Sequence, residues 1–448
     1  MFRTFVTILL ISTFAIAADR NVSLTIYNQS MAVVKEIREV NVENNRIVLD
    51  DVAGQIDRTS VKLDLSSGRV LEQNYEYDLI NFDKIIHRYE NDSIGIWSYH
   101  ADTKTYDTLR VKLIHYNNNM PSVCSKYGKL FFMQIGNYNF VYPDDVSEYY
   151  FTPTLIWKVD NVNQGKQNAE LTYITKGITW TAEYIAVLAP GGNSLDINCW
   201  VDVENNTGAT YRNAKMKLMA GDLHQAPTYA TDRMYSEGYA SMSAPSSPMF
   251  QQRNLYEYYL YELQGLTSIA DKEDKQIALL EAKHVPYVSK YSYQAYQGNE
   301  KVTINIMFEN SKSSNLDRPM PAGRFRFFQS EADGNREYIG EDRIDHTPSG
   351  REINLTTGNA FDITGKTTLV SNRQISTSIQ EYDYKVQLFN AKMEPVKVEV
   401  VVAKNGVWSI LQSDVSFKNR DAYRKYTIVE IPARGETTLY YTVHVVSN

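Results

Sequence analysis

The side chains best suited to chemistry crowd into one stretch, Gly340-Glu341-Asp342-Arg343-Ile344-Asp345-His346-Thr347-Pro348, directly after a predicted strand over 336–339. Asp342, Asp345 and His346 offer hard and borderline ligands, and Arg343 offers a fixed cation. Glu341, Asp342, Arg343, Asp345 and His346 are therefore the candidate ligand or divalent-metal site. The competing reading is a turn whose carboxylates cap backbone N–H groups and pair with Arg343. On that reading Asp345 would contribute about 1–2 kcal/mol as a cap. Gly221-Asp222-Leu223-His224 is a shorter cluster open to the same two readings.

The common catalytic signatures are absent: there is no His-Glu-x-x-His, Cys-x-x-Cys, Gly-x-Ser-x-Gly or Gly-x-Gly-x-x-Gly, which counts against the common hydrolases. The run from Gly358 to Thr367 has the look of a P-loop, but it separates its glycines by six residues where four are needed. It also continues as strand where a phosphate-binding helix should begin. His87, His100, His115, His224, His284, His346 and His444 are scattered singly. In His115 and His444, which sit in alternating strands, the imidazole is expected to carry a satisfied structural hydrogen bond. No catalytic residue and no cofactor is assigned. Tyr256, Tyr258, Tyr259 and Tyr261, with Tyr287, Tyr291, Tyr293 and Tyr296, could form an exposed aromatic face for a sugar or protein, or pack as cross-strand pairs inside a sandwich.

The elements that must position these residues are strands. Val22, Leu24 and Ile26 oppose Ser23, Thr25 and Tyr27, and Leu439, Tyr441, Val443 and Val445 oppose Tyr440, Thr442 and His444, the period-2 pattern of half-buried strands. Similar runs cover 31–40, 60–65, 111–115, 130–134, 169–175, 197–203, 255–262, 276–281, 302–308, 325–329, 385–389, 396–402 and 426–431. Leu79, Phe82, Ile86 and Tyr89 recur at helical spacing behind Asp78, predicting one short helix capped by Asp78 and packed on the first sheet. Pro, Ser, Gly and Met replace strand patterning over 225–252, the mark of a mobile insertion. The expected fold is mainly β: tandem antiparallel β-sandwich domains with one short helix and a mobile insertion loop. Its divisions are an N-terminal β domain over 18–150 with a small strand module near 97–145, and a C-terminal β-sandwich region over 151–448 containing the insertion.

Composition bounds the function. With 46 Lys and Arg against 53 Asp and Glu, the formal charge of −7 over 448 residues argues against nucleic acid as a partner. A hydrophobic fraction of 43% with a mean hydropathy of −0.41 suits a sizeable core and not a multispan membrane protein. Arg3 precedes an apolar run over 5–16 that closes on Ala15-Ile16-Ala17, the pattern of a secretory signal peptide over 1–17 cleaved after Ala17. That run falls short of the about 20 residues a spanning helix needs. No later run reaches that length, so no transmembrane segment is expected after cleavage, and the setting expected is periplasmic or extracellular. Cys124 and Cys199 could pair there, but a domain this large needs no staple and they are read as buried free thiols. Sequons begin at Asn21, Asn28, Asn91, Asn205 and Asn354, acceptors only if the source is eukaryotic.

Several blocks occur in a recognisable order. Gly177-Ile-Thr-Trp180-Thr-Ala182-Glu-Tyr184 is similar to a Gly-x-x-Trp-x-Ala-x-Tyr core. It is followed by Trp200 to Val203, by Asn205-Asn206-Thr207-Gly208, and by an Ala220-Gly221-Asp222 end. Lys275 to Ala282, Pro321-Ala322-Gly323-Arg324, Ile339 to Thr347 and Gly358 to Asp362 come later, and Tyr27-Asn28, Ala32-Val33-Val34 and Val70 to Leu79 come before. These blocks resemble the domain-of-unknown-function 4139 family over nearly the whole mature chain, with 97–145 as the departure. The resemblance implies β-sandwich architecture and an envelope or extracellular setting. It brings no reaction and no catalytic residues. The expected function is that of a secreted or periplasmic non-enzymatic β-sandwich protein that binds a protein or glycan partner or contributes to cell-envelope organisation. The alternative is a metal-dependent or hydrolytic enzyme centred on 341–346. Geometry separates them: an enzyme needs a cleft where those carboxylates converge with a second polar cluster, and a binding module presents an aromatic face.

Overall fold

A computed structural model describes residues 21–77, 79, 81–100, 102–117, 122–133, 139–141, 149–221, 250–255 and 258–446. Among these the chain is mainly β, with Phe82–Arg88 as the one α-helix. The strands form sheets of eleven, five and thirteen members.

The eleven-stranded sheet is built on the hairpin of Asn21–Tyr27 with Met31–Glu43 and on their partners Gly165–Lys176 and Tyr211–Ala220. Thr154–Asp160 lies between Arg46–Leu49 and Arg69–Glu76. The expected boundary near residue 150 therefore does not divide the sheets, because strands before and after it pair along their length. Sequence alternation is local, whereas these pairings join segments about 80 to 145 residues apart.

Alternation decides which side of each strand is buried. In Ile178–Leu188 the residues Ile178, Trp180, Ala182, Tyr184, Ala186 and Leu188 point inward, and Thr179, Thr181, Glu183, Ile185 and Val187 point outward. Tyr184 stacks on Phe325 with ring centroids 4.4 Å apart, and its hydroxyl donates to Pro321 O at 2.8 Å. The eleven-stranded sheet and the near part of the thirteen-stranded sheet share this core, which also holds Trp157, Tyr173 and Phe327. A second core, around Tyr293, Ile363, Val386, Val400 and Val443, fills the far part. Glu273–Gln294 and Arg351–Gln374 run through both, placing Ile277 and Leu355 in the first core and Tyr293 and Ile363 in the second. The tandem sandwiches thus share continuous strands. Pairing is mostly antiparallel, but among the described residues three pairs are parallel: Asn21–Tyr27 with Tyr211–Ala220, Ile178–Leu188 with Gly323–Ser330, and Glu273–Gln294 with Val396–Ala403.

The five-stranded sheet, Ser93–His100, Thr105–His115, Ser122–Lys126, Lys129–Met133 and Asn139–Val141, is the small module. The helix packs on this module and not on the first sheet: Ile86 and Tyr89 join Ile94, Ile96, Val111, Leu113 and Cys124 in a separate core. Its N-cap is Asn81, whose side-chain oxygen accepts from Lys84 N at 2.9 Å; Asp78 lies outside the described residues. Cys124 and Cys199 are both buried and free, in different cores. The expected signal peptide and residues 225–249 of the expected insertion also lie outside the described residues. Residues 250–252 belong to strand Phe250–Leu255, which forms a hairpin with Tyr258–Leu263, so the insertion ends earlier than its composition indicates.

Candidate functional site

The 341–346 segment is not a turn. Arg336–Ile344 is a strand, and Glu341, Asp342 and Arg343 lie within it opposite Arg326, Phe325 and Arg324. Successive side chains leave a strand on opposite faces, so Glu341 and Arg343 share one side while Asp342 takes the other. Glu341 faces Arg326 at 3.6 Å, and Arg326 in turn holds Glu183 at 2.9 Å, with Arg324 also on Glu183 at 3.1 Å. Asp342 caps backbone as expected of a carboxylate here, but at a strand edge: Oδ2 accepts from Thr356 N at 2.7 Å and Oδ1 from Arg343 N at 2.8 Å. Gly340, at φ 144°, lets the strand come against Arg351–Gln374, since a Cβ there would stand 1.9 Å from Thr357 O. Arg343 and Asp345 are exposed, and Arg343 makes no ion pair among the described residues.

His346 is turned inward to the backbone. Ala322 N donates to Nδ1 at 3.1 Å, which places the neutral ring's proton on Nε2, 3.3 Å from the Asn28 amide. The Asn28 oxygen otherwise has no partner, so the amide orientation that turns Oδ1 toward Nε2 satisfies both groups. Both imidazole nitrogens are then engaged by the protein. Among the described residues no group of three or more His, Cys, Asp or Glu side chains is arranged to hold a metal ion.

Gly221 packs against the Tyr258 ring, and Asp222 and His224 lie outside the described residues. Gly358 and Gly365 are both inside strand Arg351–Gln374, which disposes of the P-loop likeness. Folding brings His115 and His444 to carboxylates distant in the chain, while His87 meets one at helical i,i+3 spacing. His87 and His115 both approach Glu90 Oε1, at 3.4 and 3.0 Å. The Tyr116 N–H bond to that carboxylate, with the two imidazoles, holds the Glu90 carboxyl below its usual range. On the second sandwich, register aligns Arg373, Glu381, His444 and Ser409 in one row across four strands. His444 Nδ1 stands 3.3 Å from Glu381, as expected of a satisfied imidazole, and Arg373 stands 3.4 Å from the same carboxylate. No hydrogen bond joins the Ser409 hydroxyl to the imidazole, and the contacts of this row are those of Glu381 with Arg373 and His444.

Most of the named tyrosines are packed inward and do not make an exposed face. Tyr261 is buried and donates to Pro319 O at 3.0 Å, and Tyr293 is buried with its hydroxyl on Asn299 O at 2.8 Å. Tyr287 and Tyr259 pack on the first core, and Tyr291 packs on the second under Lys392. Tyr296 is exposed, and Tyr256 lies outside the described residues.

Polar groups that the sequence reading missed are found inside. Glu36 and Arg38 are both buried in the first sandwich: Arg38 Nε donates to Glu36 at 2.7 Å and its other nitrogens to Asp50 O and Asp51 O, while the Tyr173 hydroxyl donates to Glu36 at 3.0 Å. The signal was present, because Ala32, Val34, Val40 and Val42 set a phase that carries Glu36 and Arg38 inward. Three buried asparagines, Asn205, Asn310 and Asn390, are each the last residue of a strand. Asn205 donates to Ala209 O and Ala270 O and accepts from Thr207, Asn310 straps Arg318 and Pro348, and Asn390 straps Glu394 and Pro432. Asn205 is thereby closed to glycosylation in the folded chain.

An exposed aromatic face lies elsewhere, on the small module. Strand register places Trp97, Tyr99, Tyr106, Thr108, Arg110, Lys112, Ser125, Leu130 and Phe132 on the side of the sheet away from its core. Trp97 meets Tyr106 edge-on with centroids 5.1 Å apart, and Tyr99 meets Tyr106 at 5.0 Å. Tyr106 is 62% exposed, Leu130 70% and Phe132 75%. The residues just named include two cations and no carboxylate. Comparison with known proteins adds no identity to this geometry: no protein-family model matches the chain, and no curated protein matches it.

Proposed function

We propose that this chain is a secreted or periplasmic, non-enzymatic β-sandwich protein that binds a partner or contributes to cell-envelope organisation. Its membership of the domain-of-unknown-function 4139 family is proposed with it, on the ordered sequence blocks alone. The observation that carries the reading is the small module's outward face, where Trp97, Tyr99 and Tyr106 are grouped on an exposed sheet surface. Aromatic side chains of this kind dominate recognition surfaces because they bury much area with few torsions. A structural role for the polar clusters is supported by their contacts, since Asp342, His346 and His444 each hold backbone or a neighbouring side chain. Among the described residues no helix is long and apolar enough to cross a membrane, which is compatible with this setting and says nothing of a barrel.

A photo-crosslinking residue at Tyr99, with one at exposed Tyr423 on the second sandwich as control, tests the reading in the native envelope. Adducts formed from position 99 and not from 423 support it. Equal yields from both positions, or a hydrolytic activity abolished by Glu341→Gln, would overturn it.

A further inference from the structure

We propose that the outward face of the small module seats on an anionic lipid bilayer, an assignment that rests on the partner-binding reading and names the partner's chemistry. At about 4.8 Å per strand the five strands make a face roughly 20 Å across. Trp97 and Tyr106 lie toward one end, Leu130 and Phe132 toward the other edge, and Arg110 and Lys112 between them. All six project from the same side, because residues opposite one another in a ladder share a face and the alternate set, Ile94, Ile96, Val111, Leu113 and Phe131, is packed in the module's core.

Three features favour a bilayer over other occupants. The first is charge: among the described strand residues of this face Arg110 and Lys112 are cations and none is a carboxylate, on a chain whose formal charge is −7, a local sign opposite to the whole. Such cations beside an anionic surface are each attracted to it. The second is the kind of apolar group, since indole and phenol rings settle at headgroup depth while Leu130 and Phe132, at 70% and 75% exposure, can enter the acyl boundary. The third is ring orientation. Trp97 and Tyr106 are inclined at 70° and Tyr99 and Tyr106 at 46°, so the rings offer edges and tips and not the coplanar platform on which a sugar stacks. A peptide would be expected in a groove or along a strand edge, whereas these side chains stand on the open side of a sheet.

The test is sedimentation of the full chain with vesicles of phosphatidylcholine alone and of phosphatidylcholine containing phosphatidylglycerol. Partitioning onto the anionic vesicles should be at least about tenfold stronger and should fall with added salt. Arg110→Glu with Lys112→Glu should lower it at least about tenfold, and Leu130→Ser with Phe132→Ser should do so at unchanged charge. Lys290→Glu with Arg336→Glu changes net charge equally at exposed positions elsewhere and should leave partitioning intact. Thermal melts of each variant confirm that the exposed substitutions leave the fold in place. Equal affinity for neutral and anionic vesicles, or equal loss in the Lys290 and Arg336 control, would overturn the assignment. Tighter binding to a soluble acidic polysaccharide, indifferent to Leu130→Ser and Phe132→Ser, would also overturn it in favour of a glycan. Protein adducts at position 99 without vesicle binding would sink the lipid and keep the partner-binding reading; no adduct and no vesicle binding would remove both.

Discussion

Asp342 and Asp345 stand three residues apart in the same polar stretch, and the structure gives them unequal burdens. Asp342 accepts backbone N–H bonds from Thr356 at 2.7 Å and from Arg343 at 2.8 Å, whereas Asp345 points to solvent. A hydrogen bond to a half-buried carboxylate contributes on the order of 1 kcal/mol, so Asp342→Ala should cost about 2 kcal/mol. Asp342→Asn, which keeps one acceptor oxygen, should cost about half of that, and Asp345→Ala should stay within about 0.5 kcal/mol. With unfolding entropy of about 2 cal/mol/K per residue, 2 kcal/mol moves the Tm of a chain this long by only about 2 °C. Amide exchange is the sharper assay. The Thr356 N–H loses its acceptor in Asp342→Ala and should exchange about tenfold faster or more in the folded state, with no change in Asp345→Ala. If Asp345→Ala were the more damaging variant, or Thr356 exchanged equally in both, the reasoning would fail. Chelator should leave the wild-type melt unmoved; a chelator-sensitive shift that vanished in Asp345→Ala would place a metal in this segment after all.

Other substitutions probe the interior. Asn205→Asp keeps shape but replaces the donor to Ala209 O and Ala270 O with a second acceptor, and should cost about 3 kcal/mol, seen as a urea midpoint lower by about 1 M at a slope of about 3 kcal/mol/M. The exposed neighbour Asn206→Ala should change the midpoint little, and an equal loss there would refute the strap. Arg38→Met strands the Glu36 charge inside the first sandwich and should cost about 3–5 kcal/mol, most of it recovered in the double variant with Glu36→Leu; no recovery in that urea series would mean that packing and not charge sets the loss. Hydroxyls of Ser371 and Thr442, with the Arg373 cation, hold the Asp383 carboxyl below its usual range. The folded value lies below the unfolded one, so this stabilisation is present above about pH 4 and is lost as pH falls through the folded value. Asp383→Asn should therefore be less stable than wild type at neutral pH with a gap that closes in acid, and a gap constant across a pH series of melts would refute it.

Strand positions were legible because burial in a sheet imposes a two-residue period, and Val22, Leu24 and Ile26 or Leu439, Tyr441 and Val443 display it without reference to any partner. What could not be read was whatever depends on the partner. Thr154–Asp160 looks like the opening of a new domain until its neighbours Arg46–Leu49 and Arg69–Glu76 are known. Gly340 looks like the end of a strand because glycine and a run of charges usually mark a turn, yet here it is the point of close approach that lets the strand continue to Ile344. Glu36 and Arg38 were hidden by their polarity, although the phase of the apolar residues around them already carried both inward. Of the candidate site, Asp342 kept the backbone-capping role foreseen for the segment, but register scattered its neighbours over two faces and seated His346 against Ala322.

The parallel pairing of Asn21–Tyr27 with Tyr211–Ala220 sets a timetable for the nascent chain. One side of that first strand is closed early by the adjoining Met31–Glu43, but the other waits for a segment made nearly two hundred residues later. At roughly 10 residues per second, the ribosome leaves that edge open for about 20 s, with Val22, Leu24 and Ile26 still lacking the side chains that cover them. A chain that emerges in this order has a long interval in which its N-terminal hairpin offers a bare strand edge to any other polypeptide nearby, so it should depend on a holding chaperone during synthesis more than its finished fold would lead one to expect.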